Sequence, residues 1–196
     1  MTDWIDLTLT LNDKTPIYAE EDYSDPPFAA MPWSSVADMR FEVWQLALGT
    51  QTGTHIDAPA HFVEGGATIE TLMPAEMIGR YRRVDARSLE EDDLQVDWNT
   101  ETHLLLDARR PHLAKPHVLH RLIEQSPKVC ILAGELRIAD DDPLWFHINL
   151  TRTGRFLAED LRVDHIDTIP DSGEAITMPL HLTGLSGSPA RVLLRP

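Results

Sequence analysis

Residues 51–62 read Gln-Thr-Gly-Thr-His-Ile-Asp-Ala-Pro-Ala-His-Phe, and they constrain this chain more than any other stretch. Three side chains able to ligate a metal, His55, Asp57 and His61, fall within seven residues, punctuated by Gly53 and Pro59. His55 and Asp57 are spaced i, i+2, which in an extended strand sends both side chains to one face. A pair so placed grips one ion from one side. Imidazole with carboxylate suits zinc, manganese or iron better than calcium or magnesium. Rigid placement of such a pair calls for a strand, and residues 41–48 (Phe-Glu-Val-Trp-Gln-Leu-Ala-Leu) read as the strand that delivers the chain into the run.

At 196 residues the chain is expected to form one domain over 1–196, large enough to bury its own core. The net charge of −15, with lysines only at 14, 115 and 128, opposes binding to nucleic acid or to an anionic membrane. No apolar run approaches the roughly 20 residues that cross a bilayer. The first six residues, Met-Thr-Asp-Trp-Ile-Asp, lack the basic and apolar regions of a signal peptide, so the expected location is cytoplasmic. The lone Cys130, within Lys-Val-Cys-Ile-Leu-Ala, leaves no intramolecular disulfide and reads as a buried, inert thiol. Two acidic runs, 90–93 and 140–142, lack the glycine and spaced ligands of a calcium loop and read as solvated loops.

Alternation over residues 4–11 predicts a strand. Pro26, Pro27 and Pro32 mark 22–34 as a loop or flap. Further strands are predicted at 80–86, 103–108 and 128–133. Val118, Leu119, Leu122 and Ile123 recur at helical spacing behind Pro116, which suits a first helical turn. A second helix is predicted from about 153 to 161, and residues 178–194 read strand, Gly-rich turn, strand. Strands alternating with few helices make this a mixed α/β domain.

The 51–62 run resembles the signature of the metal-dependent cyclase family, which includes bacterial kynurenine formamidases and isatin hydrolases: His-x-Gly-Thr-His-x-Asp-x-Pro-x-His. Gly53, Thr54, His55, Asp57, Pro59 and His61 match it, and Gln51 stands where the signature begins with histidine. A His-x-Asp pair alone cannot complete a coordination shell. The family's second segment places a glutamate twelve positions after a histidine, with Leu and Gly between. Here His147, Leu150, Gly154 and Glu159 follow that pattern. The ending Pro179-Leu-x-Leu-x-Gly184, then Gly187-Ser-Pro-x-Arg191, is also similar to the family, and residues 107–146 look shortened against it.

The resemblance implies a barrel-like system of mixed β-sheets with packed helices, the swivelling β/β/α arrangement of cyclase-like domains. It implies a divalent cofactor, zinc or manganese, held by His55, Asp57, His147 and Glu159. Gln51 is a candidate further ligand through a neutral amide oxygen, weaker than the imidazole the family offers there, so one of two ion positions is expected to be weakened or empty. An oxygen-rich shell shifts preference toward manganese. A divalent ion acidifies bound water and polarises a carbonyl, as amide hydrolysis requires. His61, four residues past Asp57, is then the proton carrier.

The expected activity is therefore hydrolysis of a C–N bond in a small-molecule amide, arylformamidase-like and acting on N-formylkynurenine in tryptophan catabolism. Tyr18, Phe28, Trp33 and Phe62 are candidates to line an apolar pocket for a planar substrate. Two alternatives stay open. One is lactam, lactone or cyclase chemistry at the same metal. The other is a family member that binds metal or ligand without catalysis. The family also implies a homo-oligomer, commonly a dimer.

Overall fold

A computed structural model describes residues 4–89, 98, 100–109, 113–138, 142–164 and 166–196. Its strands are β1 (Ile5–Asp6), β2 (Ala19–Glu20), β3 (Tyr23–Ser24), β4 (Ala29–Ser34), β5 (Val43–Ala47), β6 (His55–Asp57) and β7 (Ile78–Asp85). There follow β8 (His103–Ala108), β9 (Leu113–Ala114), β10 (Val129–Gly134), β11 (Arg137–Ile138), β12 (Phe156–Glu159), β13 (Ser172–Pro179) and β14 (Gly187–Arg195). The α-helices are α1 (Val36–Met39), α2 (Pro74–Met77), α3 (Pro116–Gln125) and α4 (Trp145–Arg152).

Seven strands close a ring in the order β14-β13-β7-β8-β10-β12-β6, with β6 pairing back onto β14. The junctions β7–β8, β8–β10 and β10–β12 are parallel, and the others are antiparallel. Closure removes the open edges that a sheet of this size otherwise exposes. β1 adds to the outside of β14.

Side-chain alternation divides the core in two. Leu105, Val129, Ile131, Phe156 and Ala158 point into the ring, where they meet Ile56, Tyr81 and Val192. Their neighbours Leu104, Leu106, Cys130, Leu132 and Leu157 point outward onto Val118, Leu119, Leu122 and Ile123 of α3 and Phe146 and Leu150 of α4. Strands covered on both faces carry continuous apolar runs, as Leu104–Leu106 of β8, Val129–Ala133 of β10 and Phe156–Ala158 of β12 do. In the β6–β12 pairing Ile56 faces Ala158, and His55 faces Glu159. Ile56 and Ala158 are interior, so His55, Asp57 and Glu159 project from the outer wall of the barrel, on the side covered by α4.

The mixed α/β barrel with packed helices is the architecture the family resemblance implies, and β7, β8, β10 and α3 lie where they are predicted. Four expectations are corrected. The helix predicted for 153–161 is strand β12, preceded by α4. Gly154, at φ +79°, stops the helical turn, and Phe156-Leu-Ala is buried on both faces of the sheet, a pattern that mimics a helix. The loop predicted for 22–34 contains β4, which pairs with β5 as an isolated hairpin. Pro32 is tolerated there because an exposed two-stranded hairpin leaves a free edge, and the pairing register shifts just past it. The opening strand is only Ile5–Asp6. The C-terminal hairpin begins earlier, at Ser172. Cys130 is fully buried, as expected. Residues 90–93 and most of the 140–142 run lie outside the described residues.

Candidate metal centre and its pocket

The turn before β6 sets the site. Gly53 takes φ +63°, and a Cβ there would come within 2.5 Å of Leu11 Cδ2. The carbonyl of Gly53 lies 2.7 Å from His55 Nδ1. That nitrogen therefore donates to backbone, which leaves Nε2 as the free ring nitrogen, directed at carboxylates. His55 Nε2 is 3.6 Å from Asp57 Oδ1 and 3.4 Å from Glu159 Oε1. Glu159 Oε2 is 2.9 Å from His147 Nε2, which reaches it from α4. The ligand atoms of His55, Asp57 and Glu159 all lie within 4.8 Å of one another.

Burial makes this cluster electrostatically demanding. Asp57 is fully buried, and desolvation pushes its carboxyl up to about 7; His55 opposes that push and the Glu159 charge adds to it. For His55, desolvation works against the imidazolium, but the Glu159 hydrogen bond and the Asp57 charge prevail and raise it to about 10. His147 is raised against its burial by the same Glu159 partner. Glu159 is lowered against its burial by His147 and His55. Two carboxylates inside a protein wall need compensating positive charge. The donor set fits a divalent cation. Asp57 Oδ2 is buried without a hydrogen-bond partner among the described residues, and His55 Nε2 is oriented by the bond that Nδ1 makes to the Gly53 carbonyl.

Gln51 joins through its nitrogen. Nε2 donates to Asp57 Oδ1 at 3.2 Å and sits 3.5 Å from His61 Nδ1. Its oxygen accepts from Thr50 Oγ1 at 2.5 Å. The amide thus presents a donor to the cluster, and a donor nitrogen has no lone pair for a cation. Gly187 makes room for it: a Cβ there would come within 2.5 Å of Gln51 Nε2 and 2.9 Å of the Ile56 carbonyl. His61, on the short 3-10 turn Pro59–His61, stands apart from the ligand atoms, with Nε2 4.0 Å from Asp57 Oδ1. Burial and the nearby His55 lower its pKa. Its ring meets Phe62 edge-on at 4.3 Å between centroids.

These groups border a cavity of about 820 Å³. His55, His61, His147, Glu159 and Gln51 line it, and Phe62 and Tyr18 join them. Phe28 and Trp33 do not line it; Trp33 projects from β4 at 73% exposure. Sequence reasoning missed Tyr23, Glu20, Asp25 and Asp160, which also line the cavity. For Asp160 the signal is conformational rather than sequential. It is a non-glycine residue at φ +54°, and its carbonyl accepts from Thr54 Oγ1 at 2.6 Å. Of the other histidines, His103 is buried and bonded to the Thr102 and Thr177 hydroxyls, a structural role.

A closed mixed barrel carrying a buried His/carboxylate cluster on its outer wall, under one helix and open to a cavity, defines a class of metal-site proteins. The profile of the putative cyclase family matches residues 5–118, and the chain belongs to that family. It is 30% identical to the kynurenine formamidase of Bacillus cereus (strain ATCC 14579), with 100% of this chain and 98% of that protein aligned. It is 29% identical to the kynurenine formamidase of Geobacillus thermodenitrificans over the same shares. Among solved structures it is similar to isatin hydrolase A from Ralstonia solanacearum (TM-score 0.77, 21% identity, 99% of this chain and 92% of that one). A potential metal-dependent hydrolase with cyclase activity gives a TM-score of 0.72 at 23% identity, over 100% of this chain and 98% of that one.

Proposed function

We propose that this chain hydrolyses the C–N bond of a small amide with a divalent cation as cofactor, and that aryl formamides of the N-formylkynurenine type are its substrates. The observation that carries this reading is the meeting of His55, Asp57 and Glu159 within 4.8 Å beside the cavity, with His61 close by but separate. Full-length similarity to kynurenine formamidases supports the substrate class.

In this reading His55, Asp57, Glu159 and His147 hold the ion. When bound, the cation supplies Lewis acidity, which acidifies water and polarises an amide carbonyl. The chain's own residues do the rest. Phe62, beside both His61 and His147, offers an aromatic wall against which a planar acyl or aryl group can lie. His61 reaches the cavity without being tied up in the cluster. A neutral imidazole there takes a proton from attacking water and returns it to the departing nitrogen. Gln51 and the Gly187 gap beside it hold Asp57 in place from behind.

We assign manganese or zinc as the ion, with manganese favoured by the carboxylate share of the donor set. No described helix is long and apolar enough to cross a membrane, and we propose a cytoplasmic location. We also propose a homo-oligomer. The β4–β5 hairpin exposes Met31, Trp33, Phe41, Trp44 and Leu46, with Met31 on one face and Trp44 and Leu46 on the other, apolar side chains that a second copy would cover.

The test is elemental analysis of the purified protein, coupled to turnover of N-formylkynurenine after loading with manganese or zinc. One ion per chain and metal-dependent release of formate are expected. Protein that takes up neither ion and releases no formate from any aryl formamide overturns the reading. Light scattering gives the oligomeric state, and Trp33→Lys is expected to shift it toward monomer.

A further inference from the structure

The cavity has a one-sided charge. Its described lining contains five carboxylates, Glu20, Asp25, Glu135, Glu159 and Asp160, and no lysine or arginine. Glu159 belongs to the metal cluster; the other four do not. Two of them are built into a small aromatic device. β2 and β3 pair antiparallel, and Tyr18, just before β2, and Tyr23, on β3, have ring centroids 6.3 Å apart and tilted by 49°. Each hydroxyl is tied to a carboxylate on its own strand or just beyond it. Tyr18 donates to Glu20, and Tyr23 donates to Asp25 at 2.6 Å. Both rings are about half exposed, which puts the device on the open side of the cavity. The lining also includes apolar side chains, Phe62, Leu132, Leu136 and Leu144 among them.

Each part of this lining bears on the charge of what enters. Glu135 is paired with Arg137 at 2.9 Å and Asp160 lies 3.8 Å from His55, so a carboxylate on the substrate would meet chiefly Glu20 and Asp25, with no lysine or arginine among the described lining residues. It would also compete with the amide carbonyl for the metal. An ammonium group meets the reverse. Carboxylates attract it, and the faces of two tyrosine rings add attraction when a cation comes within about 6 Å of a ring centroid. The tyrosine–carboxylate bonds hold those rings in place before the substrate arrives, so little ordering cost remains.

We infer that the pocket selects amides with an apolar body whose end remote from the scissile bond carries an amine as ammonium, and discriminates against those ending in carboxylate. This rests on the amide-hydrolase reading of the same site and names its substrate class. N-Formylkynurenine, which carries both charges, is then a compromise substrate, and its decarboxylated amine analogue is a better one.

The experiment uses three 2-formamidophenyl ketones on the metal-loaded enzyme. They are identical except that the alkyl side chain ends in ammonium, in methyl or in carboxylate. kcat/KM is expected to fall in that order, with at least ~10-fold between the first and last. The three corresponding anilines, already deformylated, are titrated by calorimetry in parallel and are expected to bind in the same order. The double variant Glu20→Gln, Asp25→Asn is expected to compress the spread to within ~3-fold, and 0.5 M salt is expected to narrow it in the wild type. Equal or better use of the carboxylate compound, or a spread unchanged in both the double variant and high salt, overturns the inference. If no formamide turns over but the anilines keep their order, the hydrolase reading fails while the charge preference stands.

Discussion

Glu159, on a barrel strand, and His147, on the helix before it, join side chain to side chain at 2.9 Å across twelve residues of chain. The other oxygen of Glu159 faces His55, its strand partner in β6. One carboxylate thus ties the two distant halves of the site, and the consequences of removing it are specific.

Glu159→Gln keeps the shape and removes the charge. The cluster loses one of two carboxylates and His147 loses its ionic partner. Metal affinity is expected to fall by ~100-fold or more, and formamidase activity with it. Equilibrium dialysis with manganese reads the first directly. Circular dichroism checks that the barrel stays folded. Undiminished ion uptake by the folded variant would remove Glu159 from the proposed ligand set.

Gln51→His replaces an amide donor with a ring nitrogen that can ligate. Its neighbours are Asp57 Oδ1 and His61 Nδ1, so a new nitrogen at that point adds a second cation position on the far side of Asp57. Ions per chain are expected to rise from one toward two in zinc-loaded protein, as counted by mass spectrometry. A count that stays at one means that the residue at 51 does not limit metal content.

Gly187→Val tests the backing of the site. Its Cβ would come within 2.5 Å of Gln51 Nε2 and 2.9 Å of the Ile56 carbonyl. Overpacking of this kind costs about 1–3 kcal/mol, so the unfolding midpoint is expected to drop by several degrees. The β14–β6 junction that closes the barrel also loosens, which faster amide exchange at Ile56 will report. Unchanged stability would show that Gln51 swings away freely.

His103 makes the fold sensitive to acid. Burial in β8 holds its pKa down to about 4, against about 6.5 for a free imidazole. Between those values the unfolded chain binds a proton that the native chain refuses, so stability rises with pH across the window. The contribution is complete above pH 6.5. It declines by about 1.4 kcal/mol per unit as pH falls toward 4, about 3 kcal/mol in all. Urea melts at pH 7 and pH 4.5 are expected to show this loss in the wild type and a smaller one in His103→Gln. Equal losses in the two proteins would assign the acid sensitivity to other groups.

Much of the architecture was readable because local pattern and burial agree. Val118, Leu119, Leu122 and Ile123 repeat as a helix face, and α3 packs that face on the barrel. Residues 156–158 misled for a physical reason. A strand covered on both sides has no polar face, so its periodicity vanishes. Pro32 misled differently, because it forbids a central strand yet sits comfortably at the edge of a free hairpin. Of the pocket residues foreseen, Tyr18 and Phe62 line the cavity while Phe28 and Trp33 do not, since an apolar residue in a loop carries no sign of which way the loop folds.

The amino-acid sequence alone pointed to residues that could gather around a cation, because His-x-Asp alternation is a local fact of spacing and His147 and Glu159 match the second motif of the cyclase family. It also determined that Gln51 stands where an imidazole was expected. Only the tertiary structure decided that the cluster lies outside the barrel, since Ile56 and Ala158 must fill the interior and alternation then turns their neighbours outward. It alone turned the nitrogen of Gln51 toward Asp57 and brought the tyrosines and carboxylates of an early hairpin to the cavity. Contacts between residues far apart in the chain are set by how sheets close and helices pack, and no local pattern encodes them.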